Sequence, residues 1–184
     1  MTNLISKGTP DAKAVARDAR ILHVTTVAKT LGFLTGRVKF MQAHGFSLCS
    51  AAGEPSGIPE GWPIPFVTVE MTRRITPFRD LLAILQLIVL INRTHPNIIE
   101  GHTPKGGLLS MIAATLSRVP IRIFEVHGLA HVTKRGIRRF CLILATRVSC
   151  LLAHRVLCVS NSMRRILIDE QLCRPGKAYV LGKG

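Results

Sequence analysis

The stretch FEVHGLAHVTKRGIRRF, residues Phe124–Phe140, holds the pattern on which the fold depends. It begins in an apolar strand, passes the pair His127–Gly128 and ends in a basic segment of helical character. A strand followed at once by a helix indicates a βαβ unit of a parallel sheet. In such sheets ligands bind beyond the carboxyl ends of the strands. His127 is therefore a candidate functional residue, provided that other strands also end in polar groups.

The same alternation of strand and helix recurs along the chain. We expect a single α/β domain, a Rossmann-like doubly wound parallel sheet, over residues 20–184, after a loose polar tail at residues 1–19. A Pro- and Gly-rich loop is expected at residues 53–65. The predicted strands are Arg20–Val27, Gly45–Ala51, Pro65–Met71, Pro96–His102, Ile121–His127, Arg155–Ser160 and Ala178–Gly182. The predicted helices are Leu34–His44, Phe78–Arg93, Lys105–Arg118, Arg135–His154 and Asn161–Glu170.

Composition restricts the class of protein. The net charge of +15 favours an anionic partner, and 47% hydrophobic residues exclude a disordered chain. Five cysteines without a C-x-x-C pair argue against a disulfide framework or a zinc site and favour a reducing cytoplasm. The N-terminal segment lacks the apolar region of a signal peptide. The longest apolar run, Leu81–Ile91, is shorter than the roughly 20 residues that span a bilayer and predicts a buried helix.

Polar residues follow several of the predicted strands. Because the carboxyl ends of parallel strands share one edge of the sheet, these residues should lie together, next to helix N-termini that attract phosphate. The edge is therefore a candidate site for an anionic ligand. The strand ends are Thr25–Thr26, His102–Thr103, His127–Gly128 and Ser160–Asn161, and the adjoining loops contribute Lys29, Arg73, Arg74 and Lys105.

Each of these residues also has a structural interpretation. His127 could simply close a strand, Gly128 could permit a tight turn, and His102 could be a turn residue before Thr-Pro. Ser160 is typical of a helix N-cap. Residues 103–107 resemble a phosphate loop in composition but match neither nucleotide-binding fingerprint, so the two glycines there could serve only to bring a helix close to the sheet.

The predicted helix from Arg135 onward is basic on one face and apolar beside it. Two interpretations stay open, a helix packed on the core and a helix facing an anionic membrane surface. The basic positions are Lys134, Arg135, Arg138 and Arg139, and the apolar ones are Ile137, Phe140, Cys141, Leu144, Val148 and Leu151.

Several stretches together resemble the N-terminal half of family-4 glycosyltransferases, which are retaining enzymes of the GT-B fold. The similarity runs from Arg20 to Gly184 and is greatest to the branch that builds bacterial capsule, lipopolysaccharide and other lipid-linked glycans. The stretches that carry it are RILHVTTVAKTLGFLTG, GFSLCSAAGEP, MTRRITPFRDL, HTPKGGLLSMIAATLSRVPIRIFEVHGL, AHRVLCVSNSMRR and KAYVLGKG.

The resemblance implies roles for individual residues. His127 would reach the transferred sugar. The loop after the first strand, with Lys29, Thr30, Leu31, Gly32 and Phe33, would face the donor diphosphate and the acceptor. His102, Thr103 and Lys105 would line the cleft, Gly128 and Ser160 would contact substrate or phosphate, and Arg135, Arg138 and Arg139 would face acceptor or membrane.

The resemblance also implies the reaction and its partners. A hexose would pass from a nucleotide-diphosphate sugar, as co-substrate, to a lipid-linked glycan acceptor, with no cofactor and no metal. The enzyme would be cytoplasmic, peripheral at the inner face of the plasma membrane.

Two departures from the family pattern matter. Many relatives carry a Gly-Gly pair where this chain has Gly32 and then Phe33. Relatives also continue past the position of Gly184 into a donor-binding domain, so this chain alone is expected to be inactive. It would be a fragment, the product of a truncated reading frame, or one partner of a split enzyme whose donor domain is supplied in trans.

Two other functions are compatible with the sequence. One is an inactive, truncated remnant that binds a membrane surface. The other is a basic nucleic-acid-binding module, which the low aromatic content of 5% and the absence of a recognisable motif disfavour.

Overall fold

The computed structural model describes residues 19–181, so the predicted tail at residues 1–19 lies outside the described residues except for Ala19. Seven parallel strands form one sheet in the order β3-β2-β1-β4-β5-β6-β7. The strand order reverses direction between β1 and β4, which are direct neighbours. The strands are β1 (Arg20–Thr25), β2 (Ser47–Ala52), β3 (Phe66–Thr68), β4 (Ile98–His102), β5 (Ile121–Val126), β6 (Arg155–Cys158) and β7 (Ala178–Val180).

Five α-helices and three short 3₁₀ helices connect the described strands. The predicted α/β Rossmann-like fold is thereby confirmed, with the ends of the elements differing from the prediction by a few residues. The α-helices are α1 (Thr35–Ala43), α2 (Pro77–Thr94), α3 (Pro104–Leu116), α4 (Gly136–Leu152) and α5 (Asn161–Asp169), and the 3₁₀ helices are Ala28–Leu34, Ala130–Thr133 and Pro175–Lys177.

Strand β3 is shorter than the predicted strand Pro65–Met71. The amide of Met71 bonds back to the carbonyl oxygen of Val69 at 2.7 Å, so the chain turns after Thr68 instead of continuing. The turn passes Gly53, where an added Cβ would lie 1.8 Å from the carbonyl oxygen of Met71. The close approach of these two backbones ends the strand.

The core lies on both faces of the sheet. On one face, the 3₁₀ helix Ala28–Leu34 and α1 cover β1 and β2 with a small cluster around Leu31 and Val38. On the other face a larger cluster joins α2, α3 and the central strands, and α3 packs between α2 and α4. Helix α3 therefore occupies the centre of the helical layer.

The apolar surfaces of α2 and α4 differ from the prediction. The run Leu81–Ile91 was expected to be buried, but α2 turns only one side toward α3, and Phe78 is 91% exposed. In α4 the buried residues are Thr146, Ser149 and Cys150, while Ile137 is 73% exposed. Helix α4 therefore packs on the core through one side, while most of its predicted apolar stripe is exposed, and both interpretations apply to the same helix. The other exposed apolar side chains of the two helices are Leu81, Leu82, Leu85, Val89, Phe140, Leu144 and Leu151.

None of the helices within residues 19–181 combines the length and the apolar character needed to cross a membrane.

Candidate active site

The candidate site lies where the strand order reverses, at the carboxyl ends of β1 and β4. Thr26 follows β1 and Thr103 follows β4, and their hydroxyl oxygens are 2.6 Å apart. The amide of Gly106 donates to the hydroxyl of Thr26 at 2.9 Å. Thr103 has a positive φ of 65°, which is unusual for a residue with a branched side chain. These contacts fasten the loop after β1 to the first turn of α3.

Three imidazoles line up along this edge of the sheet. Nδ1 of His23 lies 3.3 Å from Nε2 of His102, and Nδ1 of His102 lies 3.1 Å from Nε2 of His127. The side chains of His23 and His102 are fully buried, while that of His127 is 22% exposed. The row therefore runs from the interior to the surface, and His127 is its accessible end.

Two buried carboxylates and one arginine complete the cluster. Nη2 of Arg37, from α1, lies 2.6 Å from Oε2 of Glu125 and 3.2 Å from Oε1 of Glu100. Glu100 also contacts Nδ1 of His23 at 3.1 Å, and Glu125 contacts Nδ1 of His102 at 3.2 Å. We call His23, Arg37, Glu100, His102, Glu125 and His127 the histidine cluster.

The surroundings shift the pKa values of four members of the histidine cluster. Burial would lower the pKa of Arg37, but the neighbouring Glu100 and Glu125 raise it above its ordinary value. Burial lowers the pKa of His127, and the nearby Arg37 lowers it further against the opposing charge of Glu125. Burial likewise lowers the pKa of His23, although its hydrogen bond to Glu100 opposes the shift. For Glu100, burial alone would raise the pKa, but the His23 hydrogen bond and the Arg37 charge hold it well below its ordinary value. His127 therefore presents a neutral imidazole near neutral pH.

The loop after β1 lies beside His127. The ring of Phe33 is stacked near the ring of His127, with their centroids 6.3 Å apart, and Phe33 is 80% exposed. Lys29 and Gly32 are exposed and Thr30 is half-buried. The carbonyl oxygen of Gly32 accepts a hydrogen bond from the hydroxyl of Thr35 at 3.1 Å. The structure thus brings this loop and His127 to the same opening, and their predicted contacts with substrate stay predictions.

Lys105 is turned toward the start of α2. Its Nζ lies 2.5 Å from Oδ1 of Asp80 and also donates to the carbonyl oxygen of Arg74. Its positive charge is therefore partly balanced within the protein. The hydroxyl of Thr103 is likewise engaged by Thr26 and Gly106. Lys105 thus links α3 to the start of α2, and Thr103 links α3 to the loop after β1. The predicted role of Lys105 and Thr103 in binding phosphate stays a prediction.

Gly128 and Ser160 have different surroundings. A Cβ on Gly128 would meet no atom within 4 Å, and its φ is not positive, so the backbone does not require glycine there. Ser160 accepts a hydrogen bond from the amide of Met163 at 3.2 Å, which confirms it as the N-cap of α5. Neither residue contacts the histidine cluster directly in the described hydrogen bonds.

A basic cavity opens next to this edge. It has a volume of about 620 Å³ and lies between the loop before α2 and the first half of α4. Arg138, one of the arginines predicted to face acceptor or membrane, lines it. Arg135, directly before α4, and Arg139, in its first turn, are exposed nearby. Its lining residues are Arg73, Arg74, Ile75, Lys134, Arg138 and Leu142.

The sequence interpretation missed His23, Arg37, Glu100 and Glu125. One signal was available, since IIEGH and IFEVH both carry a glutamate two residues before the terminal histidine of an otherwise apolar strand. Among the described residues, two groups of three side chains could hold a metal ion. These are His23, Glu100 and His102, and His102, Glu125 and His127.

Known proteins resemble this chain over most of its length. The model of Glycosyltransferase Family 4 matches residues 22–184. The capsular polysaccharide biosynthesis glycosyltransferase CapM of Staphylococcus aureus is 29% identical over 91% of this chain and 44% of its own length. The UDP-Gal:alpha-D-GlcNAc-diphosphoundecaprenol alpha-1,3-galactosyltransferase of Escherichia coli is 27% identical over 74% of this chain and 36% of its own length. The chain thus spans less than half of these relatives.

Solved structures share the fold. The UDP-N-acetylglucosamine 2-epimerase of Rickettsia bellii superposes with a TM-score of 0.68 at 13% identity, over 88% of this chain and 44% of the epimerase. At that identity the likeness supports the fold alone.

Proposed function

This chain belongs to glycosyltransferase family 4, and from that premise we propose that it is the acceptor-side half of a sugar-nucleotide-dependent enzyme. Together with a donor domain it would move a hexose from a nucleotide-diphosphate sugar to a lipid-linked glycan, with retention at the anomeric carbon. The names of the two relatives, one for capsule synthesis and one for a diphosphoundecaprenol acceptor, support the acceptor class. The product would be a cell-surface polysaccharide or its precursor.

The observation that carries the proposal is the position of His127. It stands at the carboxyl end of β5, next to the point where the strand order reverses and beside the exposed loop that ends in Phe33. Its Nε2 faces His102, so Nδ1 and the exposed edge of the ring are left for a substrate. A neutral imidazole fixed in this way can hydrogen-bond a sugar hydroxyl. Holding the sugar in line with its acceptor is a large part of the catalytic task.

The basic cavity fits an anionic group of the acceptor. Arg73, Arg74, Lys134 and Arg138 surround it, and arginine pairs well with phosphate oxygens. The diphosphate that joins a glycan to its lipid carrier has the matching charge. Binding there would place the lipid chain next to the exposed apolar side chains of α2 and α4, of which Phe78 and Ile137 are the most exposed.

The same surface supports peripheral contact with a membrane. Apolar side chains and arginines are exposed together along α4, as in helices that lie at anionic lipid surfaces. We therefore place the protein at the inner face of the plasma membrane, in the cytoplasm, where nucleotide sugars are available. The donor domain would come from polypeptide beyond the matched half, either in the same protein or in trans.

Substitution of His127 tests this assignment. The chain would be fused to the second half of the Staphylococcus aureus relative, and transfer of labelled sugar to a polyprenyl-diphosphate-linked acceptor would be measured. His127→Ala should lower turnover by about 100-fold or more, because a preorganised hydrogen bond at the transferred sugar is lost. Thermal unfolding should change little, since the side chain is partly exposed.

The matched control is His44→Ala, a histidine at the end of α1 whose Nδ1 contacts the carbonyl oxygen of Phe40 and not the site. It should leave turnover unchanged. Equal turnover of the His127→Ala and wild-type fusions would remove His127 from the mechanism.

A further inference from the structure

A second cavity, far from the histidine cluster, has two cysteines in its wall. It has a volume of about 470 Å³ and is formed by the last turns of α4, the end of α5 and the segment that leads into β7. These elements directly precede β6 and β7, so the cavity lies at the amino ends of the strands, whereas the histidine cluster lies at the carboxyl ends. Cys150, from α4, and Cys173, from the turn after α5, both line it.

The thiols of Cys150 and Cys173 contact each other. Cys150 donates a hydrogen bond to the sulfur of Cys173. Both side chains belong to the larger core cluster, so their neighbours hold them in place, and both thiols are free in the structure. A disulfide requires the sulfur atoms to approach to about 2.05 Å. Cys173 lies outside any helix or strand, so this approach requires the movement of a turn and not of a helix.

Cationic groups beside the pair favour a thiolate at Cys173. The hydrogen bond from Cys150 lowers the pKa of the Cys173 thiol, and the charges of Lys177 and Arg164 lower it further against the effect of burial. The amine of Lys177 is fixed there, because it donates to carbonyl oxygens at the end of α4, including that of Ala153 at 2.7 Å. The same hydrogen bond, together with burial, raises the pKa of Cys150. Since the thiolate is the reactive form, Cys173 is the nucleophile and Cys150 is the thiol beside it.

The cavity gives a small oxidant access to this pair of cysteines. Its volume exceeds by far the roughly 30 Å³ of a water molecule, and hydrogen peroxide is only slightly larger than water. Among the described residues, the other three cysteines, Cys49, Cys141 and Cys158, lie outside its lining. Cys158 is fully buried in β6, and burial raises its pKa to about 11, so it stays a thiol at neutral pH.

We propose that Cys150 and Cys173 form a redox pair, which a hydroperoxide oxidises to a disulfide. The sulfur of Cys173 attacks one oxygen of hydrogen peroxide, the O–O bond breaks, and the hydroxide that leaves takes up the thiol proton to become water. Cys173 is then a sulfenic acid. The sulfur of Cys150 attacks the sulfenic sulfur, the S–S bond forms, and the S–O bond breaks with loss of a second water. The two thiols lose two electrons, which reduce the peroxide.

A dithiol reductant reverses the reaction by thiol–disulfide exchange. The cross-link would join the last turns of α4 to the turn after α5 and would leave the histidine cluster unchanged. A reversible disulfide of this kind is compatible with the reducing cytoplasm proposed for the protein, where disulfides are usually transient and redox-sensing. The inference goes beyond the proposed function and does not depend on it.

Peptide mapping after peroxide treatment tests the pair without any activity assay. The reduced chain would be treated with hydrogen peroxide at neutral pH, its remaining thiols blocked with N-ethylmaleimide in denaturant, and the product digested with trypsin. Cleavage places Cys150, Cys158 and Cys173 in the separate peptides 148–155, 156–164 and 166–177. Peptides 148–155 and 166–177 should be joined by a disulfide that forms about tenfold faster than any other pairing, because Cys173 has the larger thiolate fraction. Dithiothreitol should separate them again.

Three cysteine variants separate the roles of the two thiols. In Cys150→Ala the sulfenic acid of Cys173 has no thiol to react with, so dimedone, which labels sulfenic acids, should modify Cys173. In Cys173→Ala the thiol of Cys150 should stay unmodified under the same treatment. The matched control is Cys158→Ala, which removes a buried thiol outside the cavity and should form the disulfide at the wild-type rate.

Three outcomes would overturn the proposal. All five thiols of the folded wild-type chain could survive a treatment that fully oxidises the urea-unfolded chain. The disulfide could join other cysteines, or could join two chains. A folded Cys158→Ala protein could fail to form the disulfide, which would make Cys158 a member of the pair. Because the mapping is decisive on the wild-type chain, the test stands even if a cysteine variant fails to fold.

Discussion

Gly107 lies against the ring of Phe124, and this contact sets the distance between α3 and β5. A Cβ at Gly107 would be 2.3 Å from Cε2 and 2.6 Å from Cδ2 of that ring, which is itself fully buried. Gly106 is equally close to β1, since its added Cβ would lie 2.8 Å from the amide nitrogen of Thr26. The two glycines are therefore required for close packing of helix and sheet, which was one of the open interpretations of the sequence.

We predict that Gly107→Ala lowers the free energy of unfolding by about 1–3 kcal/mol, because the methyl group overpacks a rigid aromatic contact. Chemical denaturation monitored by circular dichroism measures the effect. The control is Gly36→Ala in α1, where an added Cβ meets no atom within 4 Å. It should leave stability unchanged or raise it by up to about 1 kcal/mol. A Gly107→Ala protein as stable as the Gly36→Ala protein would contradict this packing account.

The residues of the site were only partly predictable from sequence. His102 and His127 were found because they end consecutive strands of a parallel sheet, and position at the strand end is a local property. Arg37 was missed because it reaches Glu125 from a helix 88 positions away in the chain, and no local pattern encodes that pairing. Within their strands Glu100 and Glu125 are isolated polar residues in apolar sequence, and only the folded chain brings both to the guanidinium of Arg37.

At the scale of elements, hydrophobic periodicity identified α2 and α4 but not what they face. The sequence of Leu81–Ile91 is apolar enough for a buried helix, yet α2 buries only the side that faces α3 and the core. In α4 the side that packs inward contains Thr146 and Ser149, whose hydroxyls bond back to carbonyls of their own helix. Small polar residues whose hydroxyls are hydrogen-bonded within their own helix can therefore be buried. The larger apolar residues of α4 then remain on the surface of the protein.

This arrangement predicts binding to anionic membranes through α4. Changing Arg135, Arg138 and Arg139 together to glutamine should weaken binding to vesicles that contain phosphatidylglycerol by about 100-fold at low salt. Each basic residue near such a surface contributes roughly 1 kcal/mol. Vesicle co-sedimentation measures the effect.

The control changes three exposed basic residues outside α2 and α4, namely Lys39, Arg118 and Arg174, to glutamine. It lowers the net charge by the same amount and should retain most of the binding. Equal losses in the two triple variants would mean that the overall charge, and not the α4 surface, attracts the vesicles.

For the whole molecule, the order of strands and helices was predictable and the fold class is confirmed. Short apolar strands separated by helix-length segments leave few alternatives to a parallel doubly wound sheet, and relatives in the same family support it. The ends of elements were less predictable because they depend on tertiary contacts. The turn after β3, for instance, follows from Gly53 lying against the backbone of Met71.

The length of the chain relative to its relatives indicates how much of the active site it can provide. The described residues carry one sheet and one histidine cluster, and the chain matches less than half of its curated relatives. The central claim is that this chain provides the acceptor side and that a second domain provides the donor side.

The most direct measurement is sugar transfer to a polyprenyl-diphosphate-linked acceptor by the chain alone and by the chain fused to the donor half of its Staphylococcus aureus relative. The account predicts no transfer by the chain alone and transfer by the fusion, dependent on a nucleotide sugar. The donor half should first be shown to transfer when joined to its own N-terminal half. If a correctly folded fusion then fails with every acceptor and nucleotide sugar that the relative uses, or if the chain alone transfers equally well, the acceptor-side assignment is wrong.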